Sequence, residues 1–279
     1  MDQLPALPTI VTRLIEVINS PDSSADDAAE LIEQDPALTG KMIRLANSAF
    51  YGMPRSISSV NSAVVVLGFN TIRSLVLSAS LMKMFPPTTA AGCFDGRRFW
   101  LHSITTALGA KAIIRQLMQV KMMDPESAFC AGILHDIGKL VFMHLMPTEY
   151  AGVCTQAVAK KMPLIAAEKE FLGVDHAELG SIIADKWALP LDLENSLVFH
   201  HSPQGAGRAT DLLSAVHLAD ALAHEQGHAT LVDETPAPCW EQATEVLGLT
   251  AAMLAHLRTT IGAESQKAKE FFAIVADGR

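Results

Sequence analysis

The sequence predicts an all-α fold, a multi-helix bundle, on three observations. Apolar residues recur at spacings of three and four along most of the chain. No stretch alternates with the period of two that a half-buried strand needs. Prolines and capping residues cut the stripes into helix-length pieces. Residues 9–19 carry apolar side chains at 10, 11, 14, 15, 17 and 18, one helical face. Pro21-Asp22-Ser23-Ser24 is a break, with Ser24 or Asp22 as the cap of the next helix. Asp35-Pro36 is a capped start with proline in the first turn, leading a helix expected over 37–50. A loop with Gly52 and Pro54 follows, then helices over 61–67 and 71–84. Val64-Val65-Val66 alone would suit a strand, but its surroundings do not alternate.

Pro86-Pro87-Thr88-Thr89-Ala90-Ala91-Gly92 reads as a linker between a His-free part and a His-rich remainder. Beyond it, helices are expected over 95–118, 125–145, 148–161, 164–172, 176–187, 190–200 and 211–225. Asp124-Pro125-Glu126 supplies cap, first-turn proline and first-turn acid to the second of these. A second break at Thr235-Pro236-Ala237-Pro238 precedes two closing helices. The expected division is 1–86, 93–230 and 237–279.

A chain of 279 residues can bury a large core in one or two domains. The 49% apolar and 18% charged residues argue against global disorder. The net charge of −9 argues against nucleic-acid binding by the whole surface. That average hides an asymmetry: from Pro36 to Phe94 there is no acid, only Lys41, Arg44, Arg55, Arg73 and Lys83. Such a segment is either a basic surface for an anionic ligand or acidic partner, with Lys41 and Arg44 on one face, or a core-rich stretch with few exposed positions. Cys93, Cys130, Cys154 and Cys239 show no CxxC spacing, as expected of reduced thiols. Pro5 and Pro8 and the lack of a basic start argue against a signal peptide. No run is expected to reach the ~20 apolar residues of a membrane span. A cytoplasmic protein without membrane contact is the expectation.

All ten histidines lie at or beyond His102, and metal-competent side chains follow in order: His102, His135-Asp136, His176, His200-His201 and Asp220. Imidazoles and carboxylates without cysteine favour octahedral iron or manganese, one or two ions, over structural zinc. His135-Asp136 sits in the apolar run Ala131-Gly132-Ile133-Leu134-His135-Asp136-Ile137-Gly138-Lys139-Leu140-Val141-Phe142. Burying polar groups there unpaired costs roughly 2–7 kcal/mol each. Adjacent helical residues point ~100° apart, so this pair could straddle two ions with Asp136 bridging. Lys139, four residues past His135 and three past Asp136, shares their face and suits a phosphate lying across the metals. Ala177, Gly180 and Ala184 form a small-residue stripe that permits a close helix approach.

Plainer readings stand beside these. His144, His217 and His256 read as satisfied core histidines. His224 and His228 read as solvated residues at a helix end. His217, Asp220 and His224 could form a private cluster on one helix, and Lys139 could simply neutralise Asp136.

The order His102, His135-Asp136, Asp220 resembles the HD superfamily of metal-dependent phosphohydrolases. His176 and His200-His201 extend the likeness to its two-metal branch, which includes the HD-GYP cyclic-dinucleotide phosphodiesterases. His135-Asp136-Ile137-Gly138-Lys139 matches that branch's His-Asp-x-Gly-Lys motif, but Ser202-Pro203-Gln204-Gly205-Ala206-Gly207-Arg208 stands where a Gly-Tyr-Pro signature would follow. Four N-terminal stretches are similar to the HDOD family of HD-related output domains: Leu4-Pro5-Ala6-Leu7-Pro8; Gln34-Asp35-Pro36-Ala37-Leu38-Thr39; Leu45-Ala46-Asn47-Ser48-Ala49-Phe50-Tyr51-Gly52; and Ile57-Ser58-Ser59-Val60-Asn61-Ser62-Ala63-Val64-Val65-Val66-Leu67-Gly68. The resemblance covers about residues 1–225. It implies an N-terminal helical subdomain packed on an HD-like helical subdomain, and a role in bacterial signal transduction.

Many HDOD proteins lack the HD ligands, whereas this chain keeps the series. The resemblance places His102, His135, Asp136 and Asp220 on one metal. His176, His200 and His201 fall on a second, with Asp136 shared. Its first implication is a regulatory output module with a nucleotide or a signalling protein as partner. The alternative is a phosphohydrolase acting on a nucleotide or cyclic dinucleotide, with Asp136 and Lys139 catalytic and Lys139 stabilising a phosphoryl oxygen. A third possibility is a metal that only ties helices together.

Overall fold

The computed structural model describes residues 4–19, 22–48, 51–87, 90–118, 123–207, 210–231, 234–236 and 242–276. Pro21, residues 49–50 of the 37–50 helix, linker residues 88–89, Arg208 and residues 237–241 with Pro238 and Cys239 lie outside them. The fold is all-α, with one two-residue antiparallel ladder among the described residues. The chain forms two compact units. One comprises Leu7–Pro86 and Gln266–Arg279, the other Met1–Ala6 and Pro87–Ser265.

The first unit holds α1 (Thr9–Asn19), α2 (Ala25–Glu33), α3 (Pro36–Ala46), α4 (Val60–Leu67) and α5 (Phe69–Met84). Ser24, not Asp22, caps α2 in a capping box with Asp27. Asp35 caps α3 by accepting the amides of Ala37 and Leu38. α3 stops at Ala46, four residues before the expected end. The Asn47 side chain ends it by bonding both the amide and the carbonyl of Ile57, 2.7 Å each, which ties the following loop back. Val64-Val65-Val66 is helical, within α4. Val11, Leu14, Ile32, Met42, Leu45, Val60, Ile72, Leu75, Phe271 and Val275 are among the core of this unit.

Of the five cations in the acid-free segment, Lys83 pairs with Asp35 at 3.1 Å and Lys41 bonds the Val275 carbonyl near the end of the last helix. Arg44 and Arg55 are exposed. Lys41 and Lys83 line a groove of about 280 Å³ with Pro8, Ile10, Leu38 and Met84.

In the second unit β1 (Ala90–Ala91) pairs with β2 (Phe94–Asp95). The helices are α6 (Gly96–Leu117), α7 (Pro125–Leu134), α8 (Ile137–Leu145), α9 (Pro147–Lys160), α10 (Leu164–Leu172), α11 (His176–Lys186), α12 (Leu191–Phe199), α13 (Asp211–Glu225) and α14 (Ala243–Leu247). A 3₁₀ turn at Pro203–Ala206 precedes α13. The last helix, α15 (Ala251–Ala276), contributes its residues up to Ser265 to this unit and the rest to the other. α6 packs against α7 and α13, and α11 against α8 and α12. Ile113, Ile114, Val216, Leu222, Leu257 and Ile261 share one apolar cluster.

One correction concerns the helix expected over 125–145. It breaks at His135-Asp136, where Asp136 has φ −99° and ψ 9°. Two glycines show why the halves diverge. A Cβ on Gly132 would sit 2.4 Å from the Ala107 Cα on α6, and one on Gly138 would sit 2.1 Å from the His176 carbonyl oxygen. Each half is thus drawn against a different helix by a contact that only glycine permits. The stretch Pro125–Leu145 is, by length and composition, apolar enough to cross a membrane, contrary to expectation. Its apolar window of 18 residues has mean hydropathy 1.3, and 89% of that window is buried.

Candidate metal centre

The helix break is what delivers the His-Asp pair. His135 closes α7 and Asp136 opens α8, so their side chains leave from the end of one helix and the start of the next. α6 supplies His102, the first residue of α11 is His176, His200 and His201 follow α12, and α13 supplies Asp220. All seven residues of the expected series come together. His102, His135, Asp136, His176, His200 and Asp220 are buried; His201 is partly so.

Four imidazoles have one ring nitrogen already committed. The Nδ1 of His102 donates to the His228 carbonyl at 2.7 Å, and that of His135 to the Gly132 carbonyl at 2.7 Å. The Nδ1 of His200 donates to the carbonyls of Ser196 and Leu197, and that of His176 to the Glu168 carboxylate at 2.5 Å. Each Nε2 therefore faces inward and, once it gives up its proton, offers the lone pair a metal ligand needs.

Asp136 divides the cluster between its two oxygens. Oδ2 lies 3.5 Å from His102 Nε2 and 3.4 Å from His135 Nε2, whereas Oδ1 lies 3.2 Å from His176 Nε2 and 3.4 Å from His200 Nε2. His201 Nε2 is 3.0 Å from that of His176. Asp220 Oδ1 is 3.2 Å from His102 Nε2 and 3.9 Å from His135 Nε2. The donor atoms fall into mutually close sets, one of Asp136, His176, His200 and His201, another of His102, His135 and Asp136. The buried atoms Asp136 Oδ1, His200 Nε2 and Asp220 Oδ1 have no hydrogen-bond partner. Leaving such atoms bare is costly, and a cation among them would satisfy all three. The residues present therefore fit a metal: this buried His/Asp cluster could hold one.

The charge states agree with that demand for positive charge. Burial lowers the His102 pKa, but Asp136 and Asp220 outweigh it and lift it to about 10. Burial likewise lowers His176, and Glu168 with Asp136 raises it to about 9. Burial dominates at His200, pushed down to about 4, and at His201, held well below its usual range. Burial raises the Asp136 carboxyl, but His135, Lys139 and His102 together hold it well below its ordinary value. Asp220 is held low in the same way by His102 and His224.

Several plainer readings are decided here. Lys139 does neutralise Asp136, its Nζ 2.6 Å from Oδ2, and it also lines the mouth of the cluster. His217 is buried and donates to the His200 carbonyl at 2.5 Å, a satisfied core histidine. His144 and His256 are exposed, not core. The private cluster on α13 does not form, because Asp220 faces His102 and His135. His224 is not solvated: its Nε2 is 3.6 Å from Asp220 Oδ1, its ring lies 5.0 Å from that of His102, and it makes a third close set with these two. The signal was available, since His224 is four residues past Asp220 on one helix. Glu168 was missed altogether; it sits in a run of ordinary helical acids and shows its role only through burial. The expected close approach of α11 exists, a Cβ on Gly180 meeting Leu197 at 3.2 Å. The mouth, bounded by Lys139, His176, His201, His224, Glu234 and Pro163, encloses about 10 Å³.

Comparison with known proteins fits this geometry. The HDOD domain model matches residues 4–203. An HDOD domain protein of unknown function from Geobacter sulfurreducens is 28% identical, with a TM-score of 0.80 over 97% of this chain and 94% of that one. A Shewanella amazonensis SB2B protein, provisionally designated a phosphohydrolase, is also 28% identical, with a TM-score of 0.78 over 99% of this chain and 96% of that one. An uncharacterized protein of Treponema pallidum (strain Nichols) is 25% identical over 221 residues, 79% of this chain; the chain spans 42% of that relative's length. The chain belongs to the HDOD family.

Proposed function

We propose that this HDOD protein is a regulatory module of bacterial signal transduction built around a di-metal centre. In this reading His102, His135, Asp136 and Asp220 hold one ion, and His176, His200 and His201 a second, with Asp136 shared. Iron or manganese suits the all-N/O set. The observation that carries the reading is the division of Asp136, whose two oxygens face separate histidine pairs at 3.2–3.5 Å inside a buried, under-satisfied cluster. The regulatory role is supported by enclosure. A space of about 10 Å³ is about the size of one water, far short of a nucleotide. The proposed partner is a signalling protein or nucleotide met in the cytoplasm, outside the metal cleft.

The second reading is a metal-dependent phosphohydrolase, favoured by Lys139 at the mouth and by the Shewanella relative's designation. Bound divalent ions would supply a Lewis acid for phosphoester hydrolysis. Lys139 would then hold a phosphoryl oxygen, provided Glu234 and its neighbours withdraw. Metal analysis of full-length protein and two variants tests the centre. Wild type should carry up to two equivalents, Asp136→Ala nearly none and His176→Ala about half of the wild-type content. Less than about a tenth of an equivalent in wild type after loading with iron(II) or manganese(II) overturns the reading. Turnover of nucleotides or cyclic dinucleotides that Lys139→Ala abolishes without metal loss would favour the enzyme.

A further inference from the structure

We propose that Glu168, backed by Tyr150, is the positioning residue for His176 and makes the His176 side of the centre the more strongly donating one. This rests on the di-metal reading above. Of the four buried imidazoles in the proposed ligand set, three donate Nδ1 to neutral backbone carbonyls. His176 alone donates to a carboxylate, at 2.5 Å. A carboxylate behind a ligating imidazole fixes its ring and raises its basicity, which a carbonyl does less.

Glu168 is fully buried, and every bond it makes serves this arrangement. Its Oε2 accepts both the ring Nδ1 and, at 2.8 Å, the backbone N–H of His176. That amide is one of the orphan donors at the start of α11, so the same oxygen caps the helix and aims its first side chain. Oε1 accepts the Tyr150 hydroxyl at 2.6 Å, and Tyr150 is itself fully buried on α9. Gly173, at φ 77°, turns the chain from α10 into the α11 cap at Asp175 and brings Glu168 within reach of a residue only eight positions on. The Nδ1 of His176 and this carboxylate form a fully buried ion pair, which is costly unless its neighbourhood uses the charge. Here it would balance a cation held beyond the ring.

Stepwise manganese(II) titration of metal-stripped full-length protein tests this, with His176→Ala marking which equivalent belongs to that side. Glu168→Gln keeps the shape and an acceptor oxygen but loses the charge. It should weaken the His176-side equivalent about 10- to 100-fold and leave the other unchanged. Tyr150→Phe should weaken the same equivalent by about ten-fold or less. Glu168→Gln binding both equivalents as wild type overturns the inference. So does equal loss of both together with helix content by circular dichroism, since that marks a purely structural role. If Glu168→Gln does not fold, Tyr150→Phe decides: selective weakening supports the inference, and unchanged or uniformly weakened binding overturns it. Wild type that takes up no second equivalent overturns the di-metal reading itself, whereas failure confined to the variants overturns only the role of Glu168.

Discussion

The two units bury polar groups in opposite ways. In the unit of Leu7–Pro86 and Gln266–Arg279, the buried polar side chains among the described residues are hydroxyls: Ser48, Thr71, Ser74, Ser78 and Ser80. Several simply fold back on their own helix, as Ser78 does to the Ser74 carbonyl at 2.8 Å. In the unit of Met1–Ala6 and Pro87–Ser265, the buried polar groups include His102, His135, Asp136, Lys139, Glu168, His176, His200 and Asp220. Hydroxyls satisfied within a helix cost little. Ionisable groups gathered in a core cost several kcal/mol unless compensated. One unit therefore keeps its ionisable side chains out of the core, which among the described residues holds only apolar groups and hydroxyls. The other gathers buried carboxylates that need cations beside them, protons on His102 and His176 or a metal in their place.

The largest effect that could break this contrast is that of metal on local stability. At a concentration of 1,000 times the dissociation constant, a ligand adds about 4 kcal/mol to the state that binds it. Hydrogen exchange in α6, α7, α8, α11, α12 and α13 should slow by up to about a thousand-fold on loading, while α1–α5 stay as they were. An equal change in both units, or in neither, would dissolve the distinction.

A pair of glycines sharpens the contrast at intermediate size. Gly138→Ala drives a methyl into the His176 backbone and should cost about 1–3 kcal/mol, with weaker metal binding. Gly40→Ala, inside α3 with nothing within 4 Å, should instead add about 0.4–1 kcal/mol. Urea denaturation of both variants checks the opposite signs. Two losses would mean that α3 is packed more tightly than its open glycine indicates.

The smallest effect is pH dependence. In the metal-free protein His102 and His176 are raised from 6.5 to about 10 and about 9. A raised histidine contributes stability that is fully present below pH 6.5 and is lost as pH climbs through its folded value. Asp136 and Asp220, both lowered, contribute stability present above pH 3.8 and lost in acid. The lowered His200 and His201 act the other way only near and below pH 6.5, so chelated protein should melt at a lower temperature at pH 9 than at pH 7.5. Metal competes with the same protons, so apparent affinity should rise over that interval. In the other unit the Asp27 carboxyl is lowered by the Ser24 amide and that of Asp35 by the Leu38 amide, and these give no alkaline slope. A flat melting profile for the chelated protein from pH 7.5 to 9 would remove the protonated-cluster picture.

What the sequence determined by itself was the helical class, most element positions and the identity of seven cluster residues. Periodicity and caps are local properties, and imidazoles and carboxylates are few enough in an apolar chain for their order to stand out. The Ser24 box, the Asp35 cap and the resemblance carried by His135-Asp136-Ile137-Gly138-Lys139 were all legible in this way. Only the tertiary structure decided that residues 125–145 break at Asp136. The cause is two glycine contacts with partners 25 and 38 positions distant. It also separated His217, turned to a carbonyl, from His224, turned to Asp220, although both lie within four residues of Asp220 on one helix. Glu168 was invisible in sequence because Glu168-Lys169-Glu170 looks like any solvated helix face. Burial depends on what packs against a position, and for Glu168 that is Tyr150 from another helix and the first turn of α11.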